Sequence, residues 1–434
     1  MQKRLISISI ILLLFTTLLF LNPVNSLQST TAESKIYVDD DNTAGPWDGS
    51  STYPFKTISD AINASEDNTC IYIHQGVYEE HIFINKNVKI QGENKNKTLL
   101  FGYLNIIDSE NVEITQLTIK GNTNNPAETT GIKLHSTENS IIKNNILSQH
   151  NRGILLSKES SNNLIKDNQI ESNTIGVKIC SCSNNLVYGN TIRHNQQTNL
   201  MLHKSSNNKI TQNSITNSAN NLQFHTSKDQ IDHNYWGNEK NIQIFSGKTS
   251  IKPFNLSIPW IKILFQPLTS IDQLSINPIA IIHTSLGSMS LELYSEQMPI
   301  TTQNFIDLAT IDFFNNLVFH RVIDDFVIQG GGYYSDGEPK ESPFGPIPLE
   351  THSKVTHIDG AISMARTNDP NSATSQFFIC DGSQHFLDGE YAAFGKTLIG
   401  FDTLRKIASV DTTTKHSLDD WPINEVIINN VLIS

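Results

Sequence analysis

Two groups of residues in this chain have types and spacing that could do chemistry. The first is Cys180, His203 and His225, separated by 23 and 22 residues. If the chain repeats at that period, the three stack on successive turns about 5 Å apart. A thiolate beside imidazoles suits a soft metal ion. A metal site normally takes further well-placed ligands, so stacked polar surface residues are the plainer reading, and no metal is expected. The second group lies around Phe319-His320-Arg321 and the apolar segments that follow, which carry Gln329, Gln376 and Cys380. His320 has the type of a general base, and where the chemistry moves no proton it reads instead as a buried, hydrogen-bonded structural residue. Cys380, in FFIC, reads as a buried strand residue. Glycoside cleavage would need paired carboxylates, and the column His135, Ser157, Cys180, His203, His225 offers none.

The elements that must position these residues differ sharply between the two halves. Asparagine occurs 46 times in the 434 residues; 27 fall within 101–250 and only 9 within 277–434. In the first half GIKLH (from Gly131), GILLS (Gly153), GVKIC (Gly176), NLMLH (Asn199) and NLQFH (Asn221) align at spacings of 22 to 23 residues. A second column runs through Asn145, Asn168, Asn190, Asn213 and Asn234, with SSNN or CSNN turns between the columns. Period-two apolar pairs such as Ile132 and Leu134 mark short strands with those residues inward and Lys133 and His135 outward. One such turn cannot bury its apolar face alone, so the turns stack, and asparagines at one corner hydrogen-bond along the stack and tolerate left-handed backbone. Residues 70–240 leave room for roughly seven or eight coils. FKTISDAINAS, from Phe55, reads as a short amphipathic helix over the first coil. Beyond Trp236 the repeat decays into proline-broken segments. Cys180 and Cys182, at i and i+2, stand at the edge of disulfide reach, and their state is left open.

KIYVDDDNTAGPWDGSSTYPFKTISDAI, the 22-residue repeat and HNYWGN resemble surface proteins of the right-handed parallel β-helix group. That group includes carbohydrate-binding and sugar-hydrolysing proteins and periplasmic copper-maturation proteins. The resemblance covers about 35–270 and implies fold far more than function.

From Ile276 the pattern changes. IAIIHTSLGSMSLELY reads as two strands with a turn at Ser285 to Gly287, Pro299 opens one helix, GFDTLRKIASV forms another, and NEVIINNVLIS is a last strand. FHRVIDDFVIQGGG (319–332), ISMARTNDPNSATSQFFICDG (362–382) and FLDGEYAAFGKTLIGFD (386–402) closely resemble the cyclophilin family of peptidyl-prolyl cis-trans isomerases. The match spans about 277–434, and the DPNSATSQFF spelling is similar to prokaryotic members. The resemblance implies a closed antiparallel β-barrel with two capping helices. It implies catalytic roles for Arg321, Phe326 and Gln329. It also implies substrate contacts from Val327, Phe378 and Leu387 in a proline pocket, from Gln376, from the backbone near Ala365 and Arg366, and from Phe386 and Tyr391 at the rim. No cofactor is implied. The chain departs from the family at Asp324 (usually proline), Gly332 (usually aspartate), Val327 (usually methionine) and Phe386 (usually tryptophan). The last change removes an indole N–H donor, so reduced binding of cyclosporin-type cyclic peptides is expected.

Lys3 and Arg4 precede a predominantly apolar run of 17 residues, Leu5 to Leu21, and Val24 and Ser26 suit a cut before Leu27. That is the order of an export signal, with an uncleaved membrane anchor as the alternative. The expected layout is signal or anchor (1–26), spacer (27–34), β-helix (35–270) and isomerase (271–434). The net charge of −12, from 31 basic and 43 acidic residues, excludes a phosphate-backbone partner. The expected function is an extracytoplasmic, secreted or surface-held isomerase. Its partners are proline-containing segments of exported proteins, and its β-helix associates with the envelope or a glycan. Two rivals stand beside it: a non-catalytic adaptor holding proline-containing loops, and a β-helix polysaccharide lyase or hydrolase with an accessory barrel.

Overall fold

The computed structural model describes residues 34–121, 129–237, 242–251, 256–265 and 267–434. The expected signal and nearly all of the spacer lie outside the described residues. The chain is mainly β, with an N-terminal parallel β-helix and a C-terminal curled antiparallel barrel.

The β-helix is built from three parallel sheets, of nine, seven and seven strands, in which each strand pairs with its counterpart one coil away. The seven-stranded sheets set the number of full coils at seven. Stacking keeps the register, so Ile106, Leu134, Leu156, Ile179 and Leu202 fall in one column, all fully buried. Lys133 and His135 face outward as their alternation requires.

The asparagines divide two tasks between neighbours. Asn163, Asn185 and Asn208 are buried and bonded coil to coil: Asn163 Nδ2 donates to Asn185 Oδ1 at 2.9 Å, and Asn185 Nδ2 to Asn208 Oδ1 at 2.9 Å. Asn145, Asn168, Asn190, Asn213 and Asn234 form a second such ladder. The left-handed backbone falls on the residue before each ladder member: Asn162, Asn184 and Asn207 in one column, Asn144, Asp167, Gly189, Gln212 and His233 in the other. Each NN pair therefore supplies a turn residue and then a ladder residue.

The first coil is covered by a helix, Ile58–Ala64, that buries Ile58, Ala61 and Ile62. Neighbouring side chains satisfy both of its ends. The Glu80 carboxylate accepts from the Ile58 and Ser59 N–H groups at 2.7 and 2.9 Å, and the Lys86 ammonium donates to the Ile62 and Ser65 carbonyls at 2.8 Å. At the far end the structure departs from the expected proline-broken decay. Ile242–Ile251 and Leu256–Phe265 pair as an antiparallel ribbon. Each strand of a two-stranded ribbon has an open edge, where Pro259 can sit without costing a ladder bond.

The barrel is one eight-stranded antiparallel sheet, in the order Phe319–Ile323, Val327–Gly330, Phe377–Cys380, Ala361–Met364, Ala393–Ile399, Gly287–Leu293, Ile279–Thr284, Ile428–Ile433. Its two edges meet at a Val318–Ile427 bridge. Helices Pro299–Thr310 and Phe401–Ala408 pack on it. Phe305, Phe314, Phe319, Phe377 and Phe394 fill the core. The β-helix and the barrel share an apolar seam.

Among the described residues no helix is long and apolar enough to cross a membrane. Cys180 and Cys182 are both free thiols; Cys182 is buried, and burial pushes its thiol up to about 12.

Candidate active site

Strand alternation builds a pocket on the outside of the barrel. In Phe377–Cys380, Phe377 and Ile379 enter the barrel core, while Phe378 and Cys380 join a separate small cluster with Val327, Ala361 and Leu387. In Val327–Gly330, Ile328 points to the core and Val327 to this cluster. Arg321 lies opposite Gln329, and Gln329 opposite Phe378, so three adjacent strands present a row of outward side chains.

Arg321, Phe326, Val327, Gln329, Ala365, Arg366, Phe378, Leu387 and Tyr391 line one pocket of about 150 Å³. Val327, Phe378 and Leu387 make a nearly water-free floor, at 2%, 5% and 7% exposure. Tyr391 meets Phe378 edge-on, with centroids 5.9 Å apart. The Arg366 guanidinium covers the Tyr391 ring at 4.5 Å and donates to the Glu390 carbonyl at 3.1 and 3.0 Å, which braces that wall. The Ala365 N–H is bonded to the Gln376 carbonyl at 2.9 Å, so what Ala365 can offer a ligand is its own carbonyl. Phe386 is 70% exposed and stacks on Phe326 at 5.8 Å and 22°. It contributes an apolar rim and no donor.

A polar relay aims the arginine. Arg321 Nη1 donates to Gln329 Oε1 at 3.5 Å, and Gln329 Nε2 donates to Gln376 Oε1 at 3.1 Å. Gln329 Nε2 also faces His320 Nε2 at 3.4 Å. Burial pushes the His320 pKa down to about 4, so the imidazole stays neutral. His320, neutral and enclosed, stands beside the amide of Gln329 and is not among the residues lining the pocket.

Three supporting features escaped the sequence reading. Asp420 stands 3.9 Å from Arg321 Nε, on a residue with φ of 60° in the hairpin strand Leu418–Pro422. Its only signal in the sequence was an acidic pair before Trp421. His357 is buried and stacked beneath Phe378 at 6.0 Å and 15°. It bonds Asp388 Oδ1 at 2.9 Å and Ser363 Oγ at 3.0 Å. The Ser363, His357, Asp388 order has the outline of a hydrolytic triad, but Ser363 is fully buried. No acyl group can reach it, and the trio serves as a shelf for Phe378. Finally, Asp381 accepts from the Asp325 N–H at 2.9 Å, donates its own N–H to the Phe326 carbonyl at 2.8 Å, and pairs with Arg405. That fixes the loop carrying Phe326.

The other candidate group does not converge. Cys180 and His225 lie in register one coil to either side of His203, and the two imidazoles are 5.7 Å apart. Burial lowers the pKa of both histidines. Among the described residues, the one group of three potential ligand atoms within 4.8 Å of one another is Asp324, Asp325 and Asp381, in the barrel. Part of that group is already committed to Arg405 and to backbone.

Comparison with known proteins gives two family matches. Residues 279–433 match the model of cyclophilin type peptidyl-prolyl cis-trans isomerases, and residues 40–253 match that of the periplasmic copper-binding protein NosD. A peptidyl-prolyl cis-trans isomerase of Acinetobacter baylyi is 39% identical over 162 residues, covering 36% of this chain and 86% of the relative. Peptidyl-prolyl cis-trans isomerase B of Escherichia coli is 36% identical over 160 residues, 35% of this chain and 97% of the relative. A crystal structure of a Cryptosporidium parvum cyclophilin type isomerase aligns at 33% identity with a TM-score of 0.34, covering 36% of this chain and 97% of that one.

Proposed function

Through residues 279–433 this chain belongs to the cyclophilin-type peptidyl-prolyl cis-trans isomerases, and from that premise we propose that it acts outside the cytoplasm, on X-Pro bonds of exported or surface proteins. It is an enzyme of that type. Uncatalysed X-Pro isomerisation takes tens of seconds or more, slow enough to limit folding after export.

We assign the chemistry to the pocket around Arg321. Rotating the X-Pro bond breaks amide resonance, against a barrier of about 18–20 kcal/mol. No covalent bond is made or cut, so no nucleophile or base is needed. In the twisted state the prolyl nitrogen regains its lone pair. A guanidinium held over the pocket by Gln329 and Asp420 favours that state over the planar one. Val327, Phe378, Leu387 and Phe326 take the ring and exclude water, which would otherwise favour the charge-separated planar amide. The Ala365 carbonyl and Gln376 hold the peptide backbone. The observation that best supports this reading is the meeting, at one small apolar pocket, of an arginine and a polar relay that ends in a neutral histidine.

The extracytoplasmic setting is supported by the match of the β-helix to a periplasmic family and by the order of charges and apolar residues at the N-terminus. The β-helix is the part we assign to envelope or glycan association. Fractionating cells that express the full chain, and the same chain without Leu5 to Leu21, tests the setting. Wild type is expected outside the cytoplasm and the deletion inside it; wild type in the cytosol would overturn the proposal. Incubating the exported protein with cell-envelope polysaccharide tests the association, and failure to co-sediment would remove the glycan role.

A further inference from the structure

The outer column of the nine-stranded sheet changes character in its middle. In register it reads Lys89, Glu113, Ile141, Leu164, Leu186, Lys209, Gln230. A β-helix needs apolar residues inside; outside, each coil normally presents polar groups to water. Here three consecutive coils present Ile141, Leu164 and Leu186, at 5%, 1% and 1% exposure, with Tyr188 two residues further along.

The barrel carries the matching anomaly. The strand Ile279–Thr284 is buried at all six positions. Ala280 and Ile282 fill the barrel core, while Ile279 and Ile281 point out and join Leu398, Ile399 and Leu432. These five pack against Ile141, Leu164, Leu186 and Tyr188 as one apolar cluster. An antiparallel wall with a solvated outer face would alternate apolar and polar residues; this one does not, and the β-helix covers it.

Polar groups close the seam on its rim. Tyr188 Oη donates to Glu292 Oε1 at 3.1 Å, across 104 residues of chain. The same carboxylate oxygen accepts from Ser275 Oγ at 3.0 Å and Asn277 Nδ2 at 3.1 Å, and its other oxygen lies 3.4 Å from Lys396 Nζ. Burial and the Glu292 charge raise the Tyr188 pKa, so the phenol remains a donor. Beside Glu292 the linker N–H of Ser275 donates to Gln212 Oε1 at 2.8 Å, and elsewhere on the rim Ser288 Oγ donates to Asn139 Oδ1 at 3.2 Å. An apolar centre inside a hydrogen-bonded rim is the anatomy of a stable interface.

We propose that the outer face of coils Ile141 to Tyr188 is a dedicated docking surface for the barrel, so that the isomerase is a permanently seated part of the β-helix rather than a module swinging on a linker. The seam uses Ile279–Thr284, Ala393–Ile399 and Ile428–Ile433. The pocket uses Phe319–Ile323, Val327–Gly330 and Phe377–Cys380, in the other half of the sheet. Docking therefore leaves the pocket open and fixes its orientation. This proposal stands whether or not the pocket is catalytic.

The test uses the full chain with a protease recognition sequence inserted in the exposed linker turn after Asp272. Once the linker is cut, the two halves are expected to co-elute from a sizing column at micromolar concentration. Leu164→Asp with Leu186→Asp, or Leu432→Asp from the barrel side, is expected to separate them. In the uncut variants, turnover of a short proline peptide should stay within about twofold of wild type. Immediate separation of the cut wild-type halves would overturn the proposal. So would co-elution that survives both sets of substitutions, since docking would then run through another surface. Using variants on both sides keeps the result decisive if one of them fails to fold.

Discussion

The β-helix holds its chain by one arrangement repeated coil after coil, whereas the barrel holds every residue of its pocket by a different neighbour. Asn168, Asn190 and Asn213 occupy equivalent surroundings and make equivalent bonds. Arg321, Gln329 and Phe378 each depend on a separate contact: Asp420, Gln376 and the His357 shelf. Repetition spreads stability evenly and leaves few places for unusual chemistry. The irregular barrel concentrates unlike groups at one point, which is what a transition state with changing charge requires. A lesion in the first region should therefore cost stability and spare turnover, and a lesion in the second should do more.

The largest effect that would break this contrast is expected at the pocket floor. Phe378→Ala removes a ring that is 5% exposed and packed by His357 and Tyr391. A loss of about 3–5 kcal/mol in stability is expected from chemical denaturation, together with most of the turnover. A variant that stays fully stable would show that the shelf does not hold this ring.

Acid comes next. Burial depresses the pKa of His320 and His283 in the barrel, and of His150 in the β-helix, to about 4. An unfolded chain protonates such groups near pH 6.5, so below that it binds more protons than the folded one. Stability should be level above pH 6.5 and fall between 6.5 and 4, by up to roughly 3 kcal/mol per histidine. Turnover per folded molecule should show no titration between pH 5 and 8, because His320 stays neutral throughout. A titration near pH 6.5 in kcat/KM would restore His320 as a base.

In the β-helix, Asn190→Ala leaves the Ile165 carbonyl and the Asn168 amide without the partners they have now. Each buried group so stranded costs about 1–3 kcal/mol. The loss should appear as faster hydrogen exchange in the coils beside residue 190, with kcat/KM unchanged. Altered turnover would mean that the repeat does more than support.

The smallest effect is at the rim. Phe386→Trp adds an indole N–H to an exposed, stacked ring. One added hydrogen bond is worth about 1 kcal/mol, so cyclosporin-type peptides should bind roughly fivefold more tightly by titration, with turnover little altered. No gain would mean that the smaller Val327 is what limits their binding.

The same contrast explains what could be read from the chain. Coil period, inward columns and corner asparagines were legible because stacking imposes one environment at each repeat position, and like environments select like residues. Which asparagine of an NN pair takes the left-handed backbone and which one bonds was not legible, since both are the same residue type. In the barrel, Arg321, Phe326, Gln329 and Phe378 stood out through segments resembling a known family. Asp420 and His357 did not, because their roles arise from distant strands folding together, and nothing in their local pattern marks them. The seam was written in the sequence as Ile141, Leu164 and Leu186. It passed unread because a β-helix alone gives no reason to inspect its outer column for apolar residues. The terminal ribbon was missed because prolines look like breakers until an open edge accommodates them.

The central claim is that a fixed arginine over an apolar pocket twists X-Pro bonds. The most direct measurement is isomerisation of a proline peptide by the full chain, with Arg321→Ala beside it. The wild type should accelerate the reaction, and the variant should lose about 10²–10³ in kcat/KM while keeping most of its peptide affinity and its thermal stability. Equal rates from the two proteins, or no acceleration by a folded wild type, would contradict the account.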